Sequence, residues 1–248
     1  MSKTDSRPTL NAGGKAPHEV RAMFARVARR YDFLNHFLSL GSDLYWRRVA
    51  AREARGLGED DALADLCTGT GDLAFALKRA APGAKFVALD FTPEMVAFGP
   101  VKAARKKARG IAFAIADALA IPLQDNAVAL ASVAFGIRNV GRLDDALKEM
   151  SRIVRPGGKV VILEFTQPQG WFFGPLYLWY FKHILPLLGR LIATTAGDAY
   201  RYLPQSVQAF AGPQEMTEAM RRNGLRNVRA TALTFGVVHL YVGEKAKE

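Results

Sequence analysis

Between Ala62 and Asp90 the chain reads ALADLCTGTGDLAFALKRAAPGAKFVALD, and that order of residues constrains the fold more than any other stretch. The apolar run Ala62 to Leu66 has the length of a buried strand. Gly69-Thr70-Gly71 makes a turn. A helix is predicted from about Asp72 to Ala80, with Leu73, Ala76, Leu77 and Ala80 on one face. Pro82-Gly83 stops it. A second apolar run, Lys85 to Leu89, ends in the acid Asp90. In sheets built from such strand–turn–helix–strand units, ligands sit beyond the carboxyl ends of the strands.

Gly69-x-Gly71-x-x-Ala74 fits a dinucleotide fingerprint, and Asp90 stands where an acid would hold a ribose hydroxyl. The chemistry of the turn opposes a nicotinamide cofactor. A pyrophosphate needs an uncluttered helix N-terminus, whereas Asp72 occupies the first turn here and Asp65 lies just upstream. Two carboxylates favour a phosphate-free, cationic ligand. S-adenosylmethionine is one, with an ammonium, a sulfonium and a ribose diol for Asp90. The plainer reading is that Asp72 caps the helix and Asp65 bonds backbone; capping is compatible with binding.

The remaining chain repeats the alternation. Ile111 to Ile115 is expected as a third strand, ending at Asp117-Ala118, and Val128 to Val133 as a fourth, leading into Phe135-Gly136-Ile137-Arg138-Asn139. A helix over Leu143 to Val154 is stopped by Pro156-Gly157-Gly158, and a fifth strand covers Lys159 to Phe165. Thr92 and Pro93 start the helix after Asp90, as cap and first residue. Its charge run, Lys102, Arg105, Lys106, Lys107 and Arg109, reads as a solvated face. Gln214 to Asn223 is a further helix, and Val228 to Phe235 with Val237 to Val242 form an antiparallel hairpin about Gly236. The expected class is α/β: a doubly wound, seven-stranded, mostly parallel sheet with a C-terminal antiparallel hairpin.

Residues 1–16 contain no apolar core and read as a mobile basic tail, not a signal peptide. Residues 17–248 are expected as one domain, with an N-terminal helical cap over 17–56 and an apolar insertion over 169–210. In the cap, Val20, Met23, Phe24, Val27, Ala28 and Tyr31 follow helical spacing, with Arg21, Arg26, Arg29 and Arg30 elsewhere around it. The helix reads as core packing with a solvated basic face, or as a lid over a ligand cleft or a lipid-facing surface. Ser42 is placed as the cap of the next helix. In the insertion, Trp171 to Ala193 is densely aromatic and aliphatic, but Lys182, His183, Pro186 and Arg190 interrupt it as a membrane span. It reads as core helices, a pocket wall or an interfacial segment. The single cysteine, Cys67, rules out a disulfide framework; it reads as a small packed residue. A formal net charge of +11 points to an acidic partner, either nucleic acid or anionic lipid.

The Asp65…Gly69-Thr70-Gly71 turn, Asp90, Asp117 and Pro156-Gly157-Gly158 together resemble a class I SAM-dependent methyltransferase. More narrowly, the chain resembles the UbiE-type ubiquinone/menaquinone biosynthesis C-methyltransferases. The resembling motifs are Tyr31-Asp32-x-x-Asn35-x-x-x-Ser39-x-Gly41 with Trp46-Arg47, Gly69-Thr70-Gly71-Asp72, Phe135-Gly136-x-Arg138-Asn139-Val140 and Arg155-Pro156-Gly157-Gly158 with Glu164-Phe165. Leu185-Pro186-x-x-Gly189 and Tyr200-x-Tyr202-Leu203-Pro204-x-Ser206 complete them. The glycine turn is generic; Phe-Gly-x-Arg-Asn with the tyrosine-rich C-terminal motif is specific to the family. The chain departs from it at Asp43, usually His, at Ala134, often Ser, and at Val128-Ala129, often Phe-Asp. Ala134 removes a side-chain hydrogen bond near the cofactor.

The resemblance implies methyl transfer from S-adenosylmethionine to a ring carbon of a polyprenyl quinol. Asp65, Gly69, Thr70, Gly71, Asp90, Asp117 and Ala118 would bind the cofactor. Arg138 and Asn139 would contact substrate oxygens, with Tyr31 and His183 as weaker candidates for proton transfer. Before the resemblance, a structural ion pair is an equal reading of Arg138. No metal is implied. The apolar segment would line the path of an isoprenoid tail and the basic surface would hold a cytoplasmic protein against anionic lipid; the sequence leaves a homo-oligomer open. Two alternatives are a methyltransferase acting on nucleic acid or another small molecule, and a non-catalytic membrane-associated scaffold with a decayed cofactor site. The first should carry an aromatic motif for a flipped base after the fourth strand, where Phe-Gly-Ile-Arg-Asn stands.

Overall fold

A computed structural model of the chain describes residues 11–28, 31–168 and 197–247. Three short helices open it: α1 (Pro17–Val27), α2 (Tyr31–Leu38) and α3 (Ser42–Ala51). Five strands and three helices follow as β1 (Ala62–Leu66), α4 (Asp72–Ala80), β2 (Lys85–Asp90), α5 (Pro93–Arg105), β3 (Ile111–Ile115), β4 (Val128–Ala134), α6 (Leu143–Ile153) and β5 (Val154–Phe165). The chain closes with α7 (Gly197–Gln208), α8 (Pro213–Arg222), β6 (Leu225–Leu233) and β7 (Val238–Lys245).

The seven strands form one sheet in the order β3-β2-β1-β4-β5-β7-β6. The first five are parallel; β7 pairs antiparallel with β5 and β6. Parallel strands covered on both faces need apolar residues at consecutive positions. Successive β1 residues accordingly feed opposite cores. Leu63 joins Leu130, Val161 and Leu240 under α3 and α4. Ala64 joins Ala131, Val160 and Ile162 with residues of α6 and α8. After β3 the chain returns to the far side of β1 to lay down β4. The carboxyl ends of β1 and β4 therefore diverge and leave a crevice.

Several local expectations are corrected. Pro156-Gly157-Gly158 does not end a helix; it is a bulge inside β5, which pairs Val154 with Val128 and then resumes at Lys159 opposite Leu130. A Cβ on Gly158 would lie 2.7 Å from the Ala129 carbonyl oxygen, so only glycine lets the bulge press against β4. Gly41, not Ser42, precedes α3 as its cap. Thr92 holds the cap position of α5 but its side chain makes no bond to the helix. The mobile tail is corrected over 11–16: Asn11 is buried, its side chain ties down Gly13 and Lys15, and the Ala16 N–H donates to Glu19 Oε2 at 2.8 Å. The segment Trp171 to Ala193, with His183 and Leu185-Pro186-x-x-Gly189, lies outside the described residues, as do residues 1–10, Arg29 and Arg30.

Candidate active site

The corner after β1 is fastened to the tip of β2. The Thr68 N–H donates to the Leu89 carbonyl at 3.0 Å and the Gly69 N–H to Asp90 Oδ2 at 2.7 Å. Asp90 Oδ1 accepts from the Thr92 N–H at 2.8 Å. Burial pushes the Asp90 carboxyl above the usual range, against the pull of those N–H groups. A carboxylate offers about four acceptor positions. The Gly69 and Thr92 N–H groups draw on these, the Phe91 N–H and the Thr92 hydroxyl add to them, and the carboxylate still lines the cleft, where a vicinal diol would meet it.

Asp90 lies in a cleft of about 820 Å³, solvent at its mouth included. Gly69, Asp117, Ala118, Asn139 and Tyr31 also line it, and Val20, Arg21 and Phe24 of α1 close one side. The lid reading of α1 and its core reading are both realised, since Val20, Met23 and Val27 are buried while Arg21 lies over the Phe91 ring at 5.7 Å. A second space of about 320 Å³ adjoins the first at Tyr31, Cys67 and Gly69. Its walls are Asp65, Thr68, Thr70, Asp72, Arg47 and Ala134. Ala134 contributes no hydroxyl there.

Asp65 does not bond backbone. It accepts from Thr68 Oγ1 and Ser132 Oγ, each at 2.6 Å. Burial raises its carboxyl to about 6 against those two hydrogen bonds. Asp72 does not cap α4 with its side chain either. Gly71 is the cap residue at φ +95°, a backbone angle that favours glycine, and a Cβ there would press on Phe75 and Phe113. Gly71 shapes the corner without lining either space. Asp72 instead pairs with Lys102 Nζ at 2.8 Å. Burial raises its carboxyl, but Lys102 and Arg47 win and hold it below the usual range.

Lys102 is therefore not on a solvated face. It also pairs with Asp32 of α2 and donates to Thr70 Oγ1 at 3.0 Å, while Thr70 donates to Asp32. Helical spacing carried that signal: Met95, Gly99 and Lys102 fall at i, i+4 and i+7, and the first two are buried. Arg47 was visible only as part of a motif. Asp43, a departure from the family pattern, anchors it by an ion pair and also accepts from Ser39 Oγ and His36 at 2.8 Å. Cys67 lines both spaces, and burial and neighbouring carboxylates push its thiol well above the range of a nucleophile.

Arg138 is corrected. A 3₁₀ turn, Ile137–Asn139, follows β4 and buries Ile137 and Arg138, while Asn139 lines the cleft. Arg138 turns inward, donating to Glu164 Oε1 and the Phe135 carbonyl at 2.6 Å each, and it is not among the residues lining the cleft. Glu164 is fully buried; burial pushes its carboxyl up against the pull of Arg138. The pair is structural, and Asn139 next to it reaches the cleft.

These donors suit S-adenosylmethionine. Asp90 presents a carboxylate to the cleft where a ribose diol would lie, Asp65 and Asp90 supply anionic character, and Lys102 already neutralises Asp72. Residues 13–245 match the ubiE/COQ5 methyltransferase family. The chain belongs to that family. It is 47% identical to the demethylmenaquinone methyltransferase of Thermus thermophilus over 90% of this chain and 100% of that one. Against the ubiquinone/menaquinone biosynthesis C-methyltransferase UbiE of Syntrophotalea carbinolica it is 40% identical over 94% of this chain and 97% of that one. A SAM-dependent methyltransferase structure from Thermotoga maritima shares the fold, with a TM-score of 0.60, 18% identity, and 90% and 99% of the two chains covered. As a ubiE/COQ5 family member the chain is an enzyme, a SAM-dependent C-methyltransferase of quinone biosynthesis, and S-adenosylmethionine is its cofactor.

Proposed function

We propose that the substrate is a polyprenyl quinol, either demethylmenaquinol or a methoxy-benzoquinol, methylated at a ring carbon. The relatives' names and one observation support this. The cleft that holds the Asp90 corner continues as an apolar space walled by Val20, Phe24, Phe91 and Phe135, with Asn139 and Tyr31 as polar groups within it. A flat, apolar ring with oxygen substituents fits that pattern.

When bound, S-adenosylmethionine would supply an electrophilic methyl on a sulfonium. Asp90 and Asp117 of the larger space would hold its nucleoside end, and Asp65 and Arg47 of the adjoining space would hold its ammonium and carboxylate. The α1 lid, packed on α5 and α7, keeps water from the reacting atoms. Loss of the quinol hydroxyl proton spreads negative charge onto the adjacent ring carbon, the nucleophile. Asn139 and Tyr31 stabilise the oxygen. Burial holds the Tyr31 hydroxyl above its ordinary value despite Asn35, Arg138 and Arg47, so at neutral pH it donates a hydrogen bond and does not act as a base.

The second part of the proposal is peripheral contact with anionic lipid by a cytoplasmic enzyme. No helix among the described residues is long and apolar enough to cross a membrane. The net charge of +11 and the exposed Leu40, Leu44 and Tyr45 support a surface contact. Incubation with labelled S-adenosylmethionine and a short-chain demethylmenaquinol tests the reaction: a ring-methylated product is expected, and label appearing only in RNA would refute it. Flotation with anionic vesicles at low salt tests the contact, and failure to float would reject it.

A further inference from the structure

Asn11 precedes the family match, yet it is buried and lies behind Asn139, a residue that lines the cleft. Its Oδ1 accepts two backbone N–H groups, from Gly13 and Lys15, at 3.0 Å each. Backbone N–H groups are donors without ambiguity, so the Asn11 amide has one orientation. Its Nδ2 must then face the other way, and there it donates to the Tyr202 hydroxyl at 2.6 Å. A hydroxyl has one proton. Having accepted from Asn11, Tyr202 donates that proton onward, to Asn139 Oδ1 at 2.8 Å. The polarity of each link follows from the one before it.

We propose that Asn11 and Tyr202 are positioning residues that occupy the acceptor end of the Asn139 amide, so that Asn139 meets the substrate with N–H donors alone. The inference rests on the quinol reading of the cleft and sharpens it: the group opposite Asn139 is an acceptor oxygen, best served as it becomes anionic. Among the described residues none accepts a hydrogen bond from Asn139 Nδ2, and Asn139 lines the cleft. The contact with Tyr202 is tight. A Cβ on Gly13 would lie 2.2 Å from the Tyr202 ring, so the N-terminal segment lies flat on it. Burial pushes the Tyr202 hydroxyl up to about 12, which keeps its proton in place throughout the working range.

An isosteric reversal tests the relay. In Asn11→Asp the retained oxygen still accepts from Gly13 and Lys15, but the new oxygen in place of Nδ2 draws the Tyr202 proton away from Asn139. The Asn139 amide then loses its preferred orientation. With demethylmenaquinol, kcat is expected to fall about tenfold, the rate equivalent of one misdirected hydrogen bond, while S-adenosylmethionine affinity by calorimetry holds. Tyr202→Phe is expected to cost a similar factor, and the double variant no more than either alone. Wild-type kcat in Asn11→Asp, or multiplicative losses in the double variant, would overturn the proposal. Side-chain amide exchange by NMR gives a readout that needs no turnover. The Asn139 Nδ2 protons should exchange freely in the ligand-free enzyme and stay unchanged in Tyr202→Phe. Protection that Tyr202→Phe removes would mean the opposite polarity. If no quinol is methylated, the substrate reading fails, and the exchange result still decides the relay.

Discussion

The two sides of the cleft are built differently. Most of the cofactor side comes from one short stretch: β1, the Gly69–Gly71 corner, α4 and β2 place Asp65, Gly69 and Asp90 together within 26 residues of chain, with Arg47 and Asp117 added from either side of it. The substrate side is assembled from segments far apart, with Asn11, Tyr31, Asn139 and Tyr202 meeting across sequence separations of up to 191 residues. Local geometry needs only the corner's hydrogen bonds to persist. Long-range assembly needs a rigid support, and the buried Arg138–Glu164 pair beneath Asn139 provides it.

The largest effect should come from that support. Arg138→Met leaves Glu164 buried and unpaired, and should cost about 3–5 kcal/mol of stability, read as a lower midpoint in urea. A small shift with full loss of quinol turnover would instead return Arg138 to the substrate. Next, Asp90→Ala should weaken S-adenosylmethionine about 100-fold by calorimetry, as two charge-assisted hydrogen bonds are lost. Unchanged affinity would detach the corner from the cofactor.

Asp65 gives a pH test. Its folded carboxyl titrates at about 6, raised above the unfolded range. Its contribution to ligand-free stability is therefore present at low pH and lost as pH rises through about 6. Cofactor binding runs the other way, because the ammonium needs the anion: affinity should fall about tenfold per pH unit below 6. Asp65→Asn should flatten both profiles. The smallest effect is at the bridge between the two sides. Lys102→Met removes the charge between Asp32 and Asp72, so α2, which carries Tyr31, loses its ionic tether to the corner and keeps the hydrogen bond from Thr70. An increase in quinol KM of about threefold to tenfold is expected, with Lys102→Arg restoring most of it. A larger loss in cofactor affinity than in KM would place Lys102 on the cofactor side instead.

Much of this was legible in the chain. The strand and helix positions from Ala62 to Asp90 follow directly from periodicity, and Asp90 was singled out by its distance from the turn. The expectations that failed concern partners. Asp72 looked like an unpaired acid beside the turn, and Lys102 like a solvated base. They are one ion pair, from α4 and α5, and the repulsion of a diphosphate rests on Asp65 and Asp90 alone. Pro156-Gly157-Gly158 has the composition of a helix stop, but Val154 had already entered the sheet beside Val128. Residues 11–16 look like a tail because two glycines, two alanines, one Asn and one Lys offer no apolar core, and a polar side chain such as Asn11 is buried only where specific partners meet it.

The sequence by itself determined the order of strands and helices, the glycine corner and the acid at its far end, because these depend on contacts within a few turns of chain. Only the tertiary structure decided which of Arg138 and Asn139 lines the cleft, which carboxylates are neutralised, and which way the Asn139 amide points. Those outcomes depend on hydrogen-bond partners supplied from the opposite ends of the chain, and no local pattern encodes a partner that distant.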